Sequence, residues 1–258
     1  MTVAIHPTAV VDPSARLGMD VELGAYAVVG PGVEIGDGCR LGAHVVLEQN
    51  VRLAEGVTLG TGVVLGSAPQ DLKYRDEPTW VEIGPRTVIR EYSTVNRGTA
   101  ASGRTVVGAD CFLMTYVHVA HDCVLGDGVT IANSTSLSGH IVIEDRATVS
   151  GLCALHQFIT IGTHAFVGGA SRVPQDIPPY VKAVGNPIAL FGLNSVGLER
   201  AGFAPEVRRA LKHAYRLLFN SPLPRAEAVA ALEEDARRWP EVARLVTFVT
   251  AARRGVPG

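Results

Sequence analysis

No run of 18 apolar residues, about the length a helix needs to cross a bilayer, occurs in this 258-residue chain. Its first eleven residues lack a basic segment followed by an apolar one, so no secretory leader is expected and the chain reads as cytoplasmic. Nor is there a cationic excess. The 23 Lys and Arg stand against 25 Asp and Glu, a formal charge of −2, which argues against a polybasic nucleic-acid binder. Cysteines number only four. Cys39, Cys111, Cys123 and Cys153 each precede by two residues an aliphatic position of the repeat described next, where Val, Ala, Thr, Ser or Ile otherwise stands. They read as small packed thiols in a reducing compartment, not as a disulfide or metal set.

What the sequence does have is a period of six. From Ile5 to Val173 every sixth residue falls on one ladder, and 26 of the 29 rungs are Leu, Ile or Val; Asp71, Glu77 and Ala101 are the exceptions. Gly often follows the rung, as at Gly18, Gly24, Gly36, Gly108 and Gly126, where a turning chain is expected to need permissive dihedrals. Such repeats build a parallel β-helix in which each short strand stacks on the next coil. One hexapeptide cannot fold alone. A buried aliphatic side chain gives roughly 1.5–3 kcal/mol, whereas ordering each of six residues costs about 1–2 kcal/mol, so stacking must supply the difference.

The expected architecture is an all-β hexapeptide-repeat β-helix over residues 1–186, interrupted by loops at 71–82 and 96–106, followed by a small α-helical domain over 187–258. Both interruptions keep the six-residue phase and can loop outward without disturbing the core. After Val173, Pro174, Pro178, Pro179 and Pro187 mark a linker. Ala204 to Phe219 then sets Val207, Leu211, Ala214, Tyr215 and Leu218 on one helical stripe, and Pro224 to Trp239 and Pro240 to Arg253 read as further helices that cap the solenoid. Arg200, Arg208, Arg209, Lys212 and Arg216 form a basic patch suited to an acidic partner.

If a coil is three hexapeptides, residues 18 apart stack in columns about 4.8 Å apart. His121, Gly139 and Gln157 form one column, Asp122, His140 and Phe158 the next, and Ala120, Ser138 and His156 a third. Three of the eight histidines thus converge on one corner, outside the rungs. A neutral imidazole accepts a proton near cellular pH, and the N–H of Gly139 can face a developing oxyanion. With Ser138 the only Ser or Cys in the patch, direct transfer is favoured over a covalent intermediate. Zinc β-helices such as the γ-class carbonic anhydrases use an H-x4-H pair; no two histidines here are five apart, so no metal is expected.

Gln70-Asp71-Leu72-Lys73-Tyr74, His118-Val119-Ala120-His121-Asp122-Cys123, Leu155-His156-Gln157-Phe158, Pro178-Pro179-Tyr180 and Gly185-Asn186 together resemble the UDP-N-acetylglucosamine O-acyltransferases of lipid A synthesis. The resemblance spans nearly the whole chain. It implies a left-handed β-helix, against the usual right-handed crossover rule, assembled as a homotrimer with sites between subunits. It implies transfer of a 3-hydroxyacyl chain from the phosphopantetheine thioester of acyl carrier protein to the 3-hydroxyl of the glucosamine in UDP-GlcNAc, with no cofactor. His121 matches the general base and Gly139 the oxyanion donor. Asp71 and Lys73 match residues holding the sugar, and His118 lies beside the acyl or sugar entry. His140, His156, Gln157, Asn194 and Arg200 match contacts to the nucleotide sugar, and Gly169 matches the position that sets acyl length. Asp122 either orients His121 or caps a turn, and Gln70 shares the first loop's polar cluster. Val196 departs from the acidic residue the family often carries two places after Asn194.

Four alternatives stand beside this one, of which a small-molecule acetyltransferase using coenzyme A is disfavoured by the Gln70 to Tyr74 cluster and the long helical tail. Some family members acylate a 3-amino sugar. A later N-acyltransferase of the same pathway carries a uridine-binding domain ahead of its solenoid, for which a ladder starting at Ile5 leaves no room. A non-catalytic scaffold that only binds a nucleotide sugar gains nothing from aligning a base, a carboxylate and a glycine on one edge.

Overall fold

The computed structural model describes residues 3–257, so the outermost ends of the two expected segments, 1–2 and 258, lie outside the described residues. Successive short strands, most of two residues, stack into three sheets, here I, II and III, of eleven, nine and eight strands, parallel except for the last strand of sheet I, which form the three faces of a β-helix. Registers confirm the coil length. Leu23 pairs with Leu41 and Ile143 with Ile161, each a step of 18 residues. The step lengthens to 30 from Val51 to Val81 and to 24 from Ile83 to Val107, where the two inserts leave the solenoid. Their true extents are 68–79 and 97–103, because Trp80–Ile83 and Arg104–Val107 are strands that take up the last residues of the expected loops.

The rungs are the core. Leu47, Leu65, Leu113, Ile131, Ile143 and Ile161 have no exposed surface, while Ile5 at the open end, with no coil beneath it, is 45% exposed. All four cysteines are buried and free, and the Cys39 thiol donates to the Ala54 carbonyl at 3.0 Å. Since each coil touches only its neighbours, Leu125→Ala should cost about 2–5 kcal/mol. Denaturant unfolding of the variant checks this, and a cost below 1 kcal/mol would mean that the interior collapses around the missing side chain.

The corners differ from the sequence expectation. Glycines that follow a rung have ordinary φ, except Gly66 at +85°. They are glycine because a Cβ would strike the next coil: at Gly24 it would lie 2.7 Å from the Ala43 nitrogen, and at Gly84 2.7 Å from the Ala109 nitrogen. The left-handed residue comes three places after the rung instead. It is more often non-glycine than glycine, as at Tyr26, Tyr116, Asp122, His140 and Phe158, with φ between 59° and 65°. Its N–H donates to the preceding coil, as His140 does to the His121 carbonyl at 3.0 Å, which offsets the strain of that conformation.

The expected linker is also structure. Ile177 bridges to Ile161, Val181–Val184 extends sheet I beside Phe166–Val167, and Ala189–Leu193 folds back antiparallel on it. The boundary expected at 186/187 falls in the turn of that hairpin. Helices α1 (Ser195–Arg200), α2 (Pro205–Phe219), α3 (Arg225–Ala231), α4 (Glu233–Arg238) and α5 (Pro240–Ala251) follow; the second expected helix is two, joined at Leu232. Leu211, Ala214 and Leu218 of α2 pack with Val242, Leu245 and Val249 of α5, and Tyr180 carries this second core onto the solenoid end. No described helix is long and apolar enough to cross a membrane.

Candidate active site

Both inserts and the histidine corner share one edge of the prism, where the chain passes from sheet II to sheet III. Insert 68–79 joins Val64–Ser67 to Trp80–Ile83, and insert 97–103 joins Thr94–Asn96 to Arg104–Val107. On the next coils of that edge come His121 and Asp122, then Gly139 and His140, then His156, Gln157 and Phe158. The columns expected from an 18-residue step are therefore real. The ring of His140 stacks on Phe158 at 4.6 Å and meets His121 edge-on at 5.1 Å.

Asp122 organises this corner. Its side chain is 1% exposed, and its Oδ2 lies 2.7 Å from His121 Nδ1. A carboxylate can only accept, so Nδ1 carries the proton and Nε2 is left with its lone pair. Asp122 also accepts from the Thr99 N–H at 2.9 Å, the Thr99 hydroxyl at 2.8 Å and the Ser102 hydroxyl, and its own N–H donates to Thr105 Oγ1. It both orients His121 and pins a turn. Burial pushes its carboxyl upward, but the hydrogen bonds from Ser102, His121 and Thr99 outweigh burial and hold it below the usual carboxylate range. His121, Asp122 and His140 offer donor atoms within 4.8 Å of one another, yet the carboxylate oxygens are already filled by hydrogen bonds.

His121 lies against Gly139. A Cβ there would sit 2.6 Å from His121 Cε1 and 2.8 Å from Nε2, so only glycine lets the imidazole rest over this backbone. No hydrogen bond among the described residues has the Gly139 N–H as donor. A base and a free, buried N–H stand side by side, the pairing needed to deprotonate a nucleophile and receive an oxyanion. Gly139→Ala should push the ring aside and lower turnover about 10²-fold with an unchanged fold. Steady-state rates beside a circular dichroism melt check it, and near-normal turnover would mean that the ring moves freely.

The other expected residues divide. His118, half-buried on the preceding strand, bonds Thr94 Oγ1 through Nδ1 at 2.7 Å; burial first, and then nearby His121, keeps it more neutral than an ordinary histidine. His156 Nδ1 lies 3.3 Å from an Arg254 guanidinium nitrogen of the C-terminal tail, and Gln157 is exposed. In insert 68–79, Gln70 and Lys73 are exposed, and Asp71 accepts the Lys73 N–H at 2.9 Å. Three residues are not brought to this corner. Asn194 caps α1 and donates to the His164 carbonyl at the sheet III to sheet I edge. With Arg200 and Val196 it lines an open recess of about 600 Å³ beside Phe166 and Lys182. Gly169 lies on the third edge, exposed beside the Gly151 carbonyl. Sequence reading missed Thr99, Ser102 and Arg254. The first two were within reach, because the second insert lengthens the coil step to 24 and so carries 97–103 over Asp122.

Residues 176–257 match the family model described as domain 2 of UDP N-acetylglucosamine O-acyltransferase, and residues 14–49 and 104–139 match the bacterial transferase hexapeptide (six repeats) model. The acyl-[acyl-carrier-protein]–UDP-N-acetylglucosamine O-acyltransferase of Thiobacillus denitrificans is 51% identical over 253 residues, covering 98% of each chain. That of Herminiimonas arsenicoxydans is 46% identical over 257 residues, again 98% of each. The crystal structure of a UDP-N-acetylglucosamine acyltransferase from Bacteroides fragilis matches with a TM-score of 0.96 at 38% identity, over 98% of this chain and 100% of that one. A three-faced solenoid of hexapeptide coils with a histidine–aspartate pair on one edge and a helical cap defines a left-handed β-helical acyltransferase. Within that class, the chain belongs to the acyl-[acyl-carrier-protein]–UDP-N-acetylglucosamine O-acyltransferase family.

Proposed function

We propose that this protein transfers a 3-hydroxyacyl chain from acyl carrier protein to the glucosamine 3-hydroxyl of UDP-GlcNAc, the opening step of lipid A synthesis. The observation that carries this is the His121 imidazole, held by Asp122 at Nδ1 and packed against Gly139, whose N–H has no hydrogen-bond partner among the described residues. Nε2 takes the proton of the 3-hydroxyl as its oxygen attacks the thioester carbonyl. The Gly139 N–H donates to the resulting oxyanion. Collapse breaks the carbon–sulfur bond, and the imidazolium returns its proton to the departing phosphopantetheine thiolate. The chain's own residues complete this chemistry without a cofactor.

The division of the remaining residues among three edges favours a homotrimer, in which Asn194 and Arg200 of one copy meet the histidine edge of another. Leu72, 97% exposed on insert 68–79, is suited to burial against a neighbouring copy. Asp71 and Lys73 on that insert hold the sugar; His118 borders its entry, and His140, His156 and Gln157 contact the nucleotide sugar. Arg200 suits phosphate by bidentate bonding. The exposed Arg209, Lys212 and Arg216 on α2 receive acidic acyl carrier protein. Cytoplasmic residence agrees with both substrates.

Acyl length follows from Gly169. A Cβ there would meet the Gly151 carbonyl oxygen at 3.3 Å and otherwise only Ser150 at 3.9 Å, so a side chain can be built outward from this edge. Gly169→Met is expected to shift preference toward shorter donors, and an unchanged profile sinks that assignment. The test is one panel: 3-hydroxyacyl carrier proteins of graded length, offered with UDP-GlcNAc and with its 3-amino analogue. Turnover on UDP-GlcNAc supports the reading. Turnover only on the amine makes this an N-acylating variant, and none with any donor returns the protein to a binding scaffold.

A further inference from the structure

Insert 97–103 does more than decorate the edge. Six extra residues enter the coil without disturbing its register, since Ile89 still pairs with Leu113 and Val95 with Val119. The insert is closed on itself: the Gly103 N–H donates to the Thr99 carbonyl at 2.8 Å, and the Ala101 N–H to Thr99 Oγ1 at 3.2 Å. From this turn come three donors to Asp122, the Thr99 N–H, the Thr99 hydroxyl and the Ser102 hydroxyl. Together with His121 Nδ1 they fill the roughly four lone-pair sites of a carboxylate.

The root of the insert is tied the other way. Arg97 is 3% exposed; its guanidinium donates to the Gly66 carbonyl at 2.6 Å and the Tyr74 hydroxyl at 2.9 Å, and lies over the Tyr74 ring. Asn96 donates to the Ala68 carbonyl at 2.8 Å. These partners belong to insert 68–79 and its base, which carry Asp71 and Lys73. One short segment therefore holds the sugar-bearing insert at one end and the carboxylate behind the base at the other.

We propose that insert 97–103 is a positioning element for His121, in which the Thr99 hydroxyl shares Asp122 Oδ2 with the imidazole and tempers the carboxylate's pull on it, while Arg97 sets the stance of insert 68–79. Each hydrogen bond donated to Oδ2 draws off negative charge. Without the Thr99 hydroxyl that charge falls on the imidazole alone, stabilises the imidazolium, and makes His121 harder to deprotonate at a given pH. The groups facing His121 are Asp122 at Nδ1, His118 on its own strand and His140 on the next coil. Cys123, just inside, is kept a thiol by burial that pushes it up to about 12. Of these, only Asp122 bonds Thr99, so a change at Thr99 reaches His121 through that carboxylate.

The inference rests on His121 as the base, but its first readout needs no substrate. Histidine imidazoles of the full-length protein, labelled with nitrogen-15, are titrated by NMR in wild type, Thr99→Val and Thr99→Ser, with His121→Ala assigning the resonance. The His121 midpoint should rise by about half a pH unit or more in the valine variant and return toward wild type in the serine variant. In turnover, the acid limb of kcat/KM should move the same way. Arg97→Met should instead raise KM for the nucleotide sugar and leave the His121 midpoint in place. An unmoved midpoint in Thr99→Val overturns the proposal, as does a serine variant as altered as the valine one. If wild type transfers no acyl group while the midpoint still moves, the functional reading fails and the positioning inference stands.

Discussion

Replacing His121 with alanine is expected to lower turnover about 10²- to 10⁴-fold, with the fold and substrate binding retained. The side chain makes one hydrogen bond, to Asp122, and its ring lies over a glycine and against His140 at an edge outside the rung core. Its loss therefore removes a proton acceptor without opening a cavity among the rungs. Leaving the 3-hydroxyl to attack unassisted costs the reaction its proton transfer, while the other residues proposed to contact the nucleotide sugar are unchanged. The measurement pairs initial rates of acyl transfer with calorimetric binding of UDP-GlcNAc and a thermal melt. A variant that binds and melts like wild type but turns over at least 10²-fold more slowly supports the base. Turnover within a few-fold of wild type would move the base elsewhere on the edge, to His118 or His140. A similar loss of binding would mean instead that His121 holds the sugar.

Much of this was legible before any coordinates because a hexapeptide solenoid makes geometry a function of residue number. The rungs named the interior, and an 18-residue step brought His121, His140, Gln157 and His156 to one edge although 35 residues separate the first of these from the last in the chain. That step works beyond Val107, where no insert intervenes. It failed to find Thr99 and Ser102 because the coil there is 24 residues long, and a column drawn with 18 misses Asp122. The corners misled for another reason. Glycine in a turn suggests a left-handed backbone, but the glycine after a rung answers crowding between coils, and many left-handed positions are filled by residues such as Tyr, Arg, Leu or Phe that backbone propensity disfavours there. Prolines from Pro174 to Pro187 signalled an end to regular strand, yet Val181–Val184 still finds partners in Phe166–Val167 and Ala189–Leu193, since a strand laid on the last coil need not repeat the rung phase. Asn194, Arg200 and Gly169 carried no positional signal, because within one chain they lie on other edges than the histidine corner.

Asp122→Ala should be nearly as damaging to turnover as loss of the histidine and should weaken the fold besides. Removing the carboxylate leaves the Thr99 N–H and hydroxyl, the Ser102 hydroxyl and His121 Nδ1 without their common acceptor. Ser102 is exposed and can turn to water, but the Thr99 amide and the imidazole cannot both do so without loosening the insert, so the cost is about 1–3 kcal/mol. Freed of its partner, the His121 ring can take the other tautomer or rotate away from Gly139, and turnover should fall about 10²-fold or more. Acid separates this role from simple packing. The Asp122 carboxyl titrates lower in the folded protein than in the unfolded chain, whose ordinary value is 3.8. Its contribution is therefore complete above that value and is lost as pH falls through the lower folded one. Urea unfolding of wild type and Asp122→Ala should differ most near neutrality and converge in strong acid. A gap that stays constant down to the lowest workable pH would mean that the side chain stabilises by its shape and not by its charge.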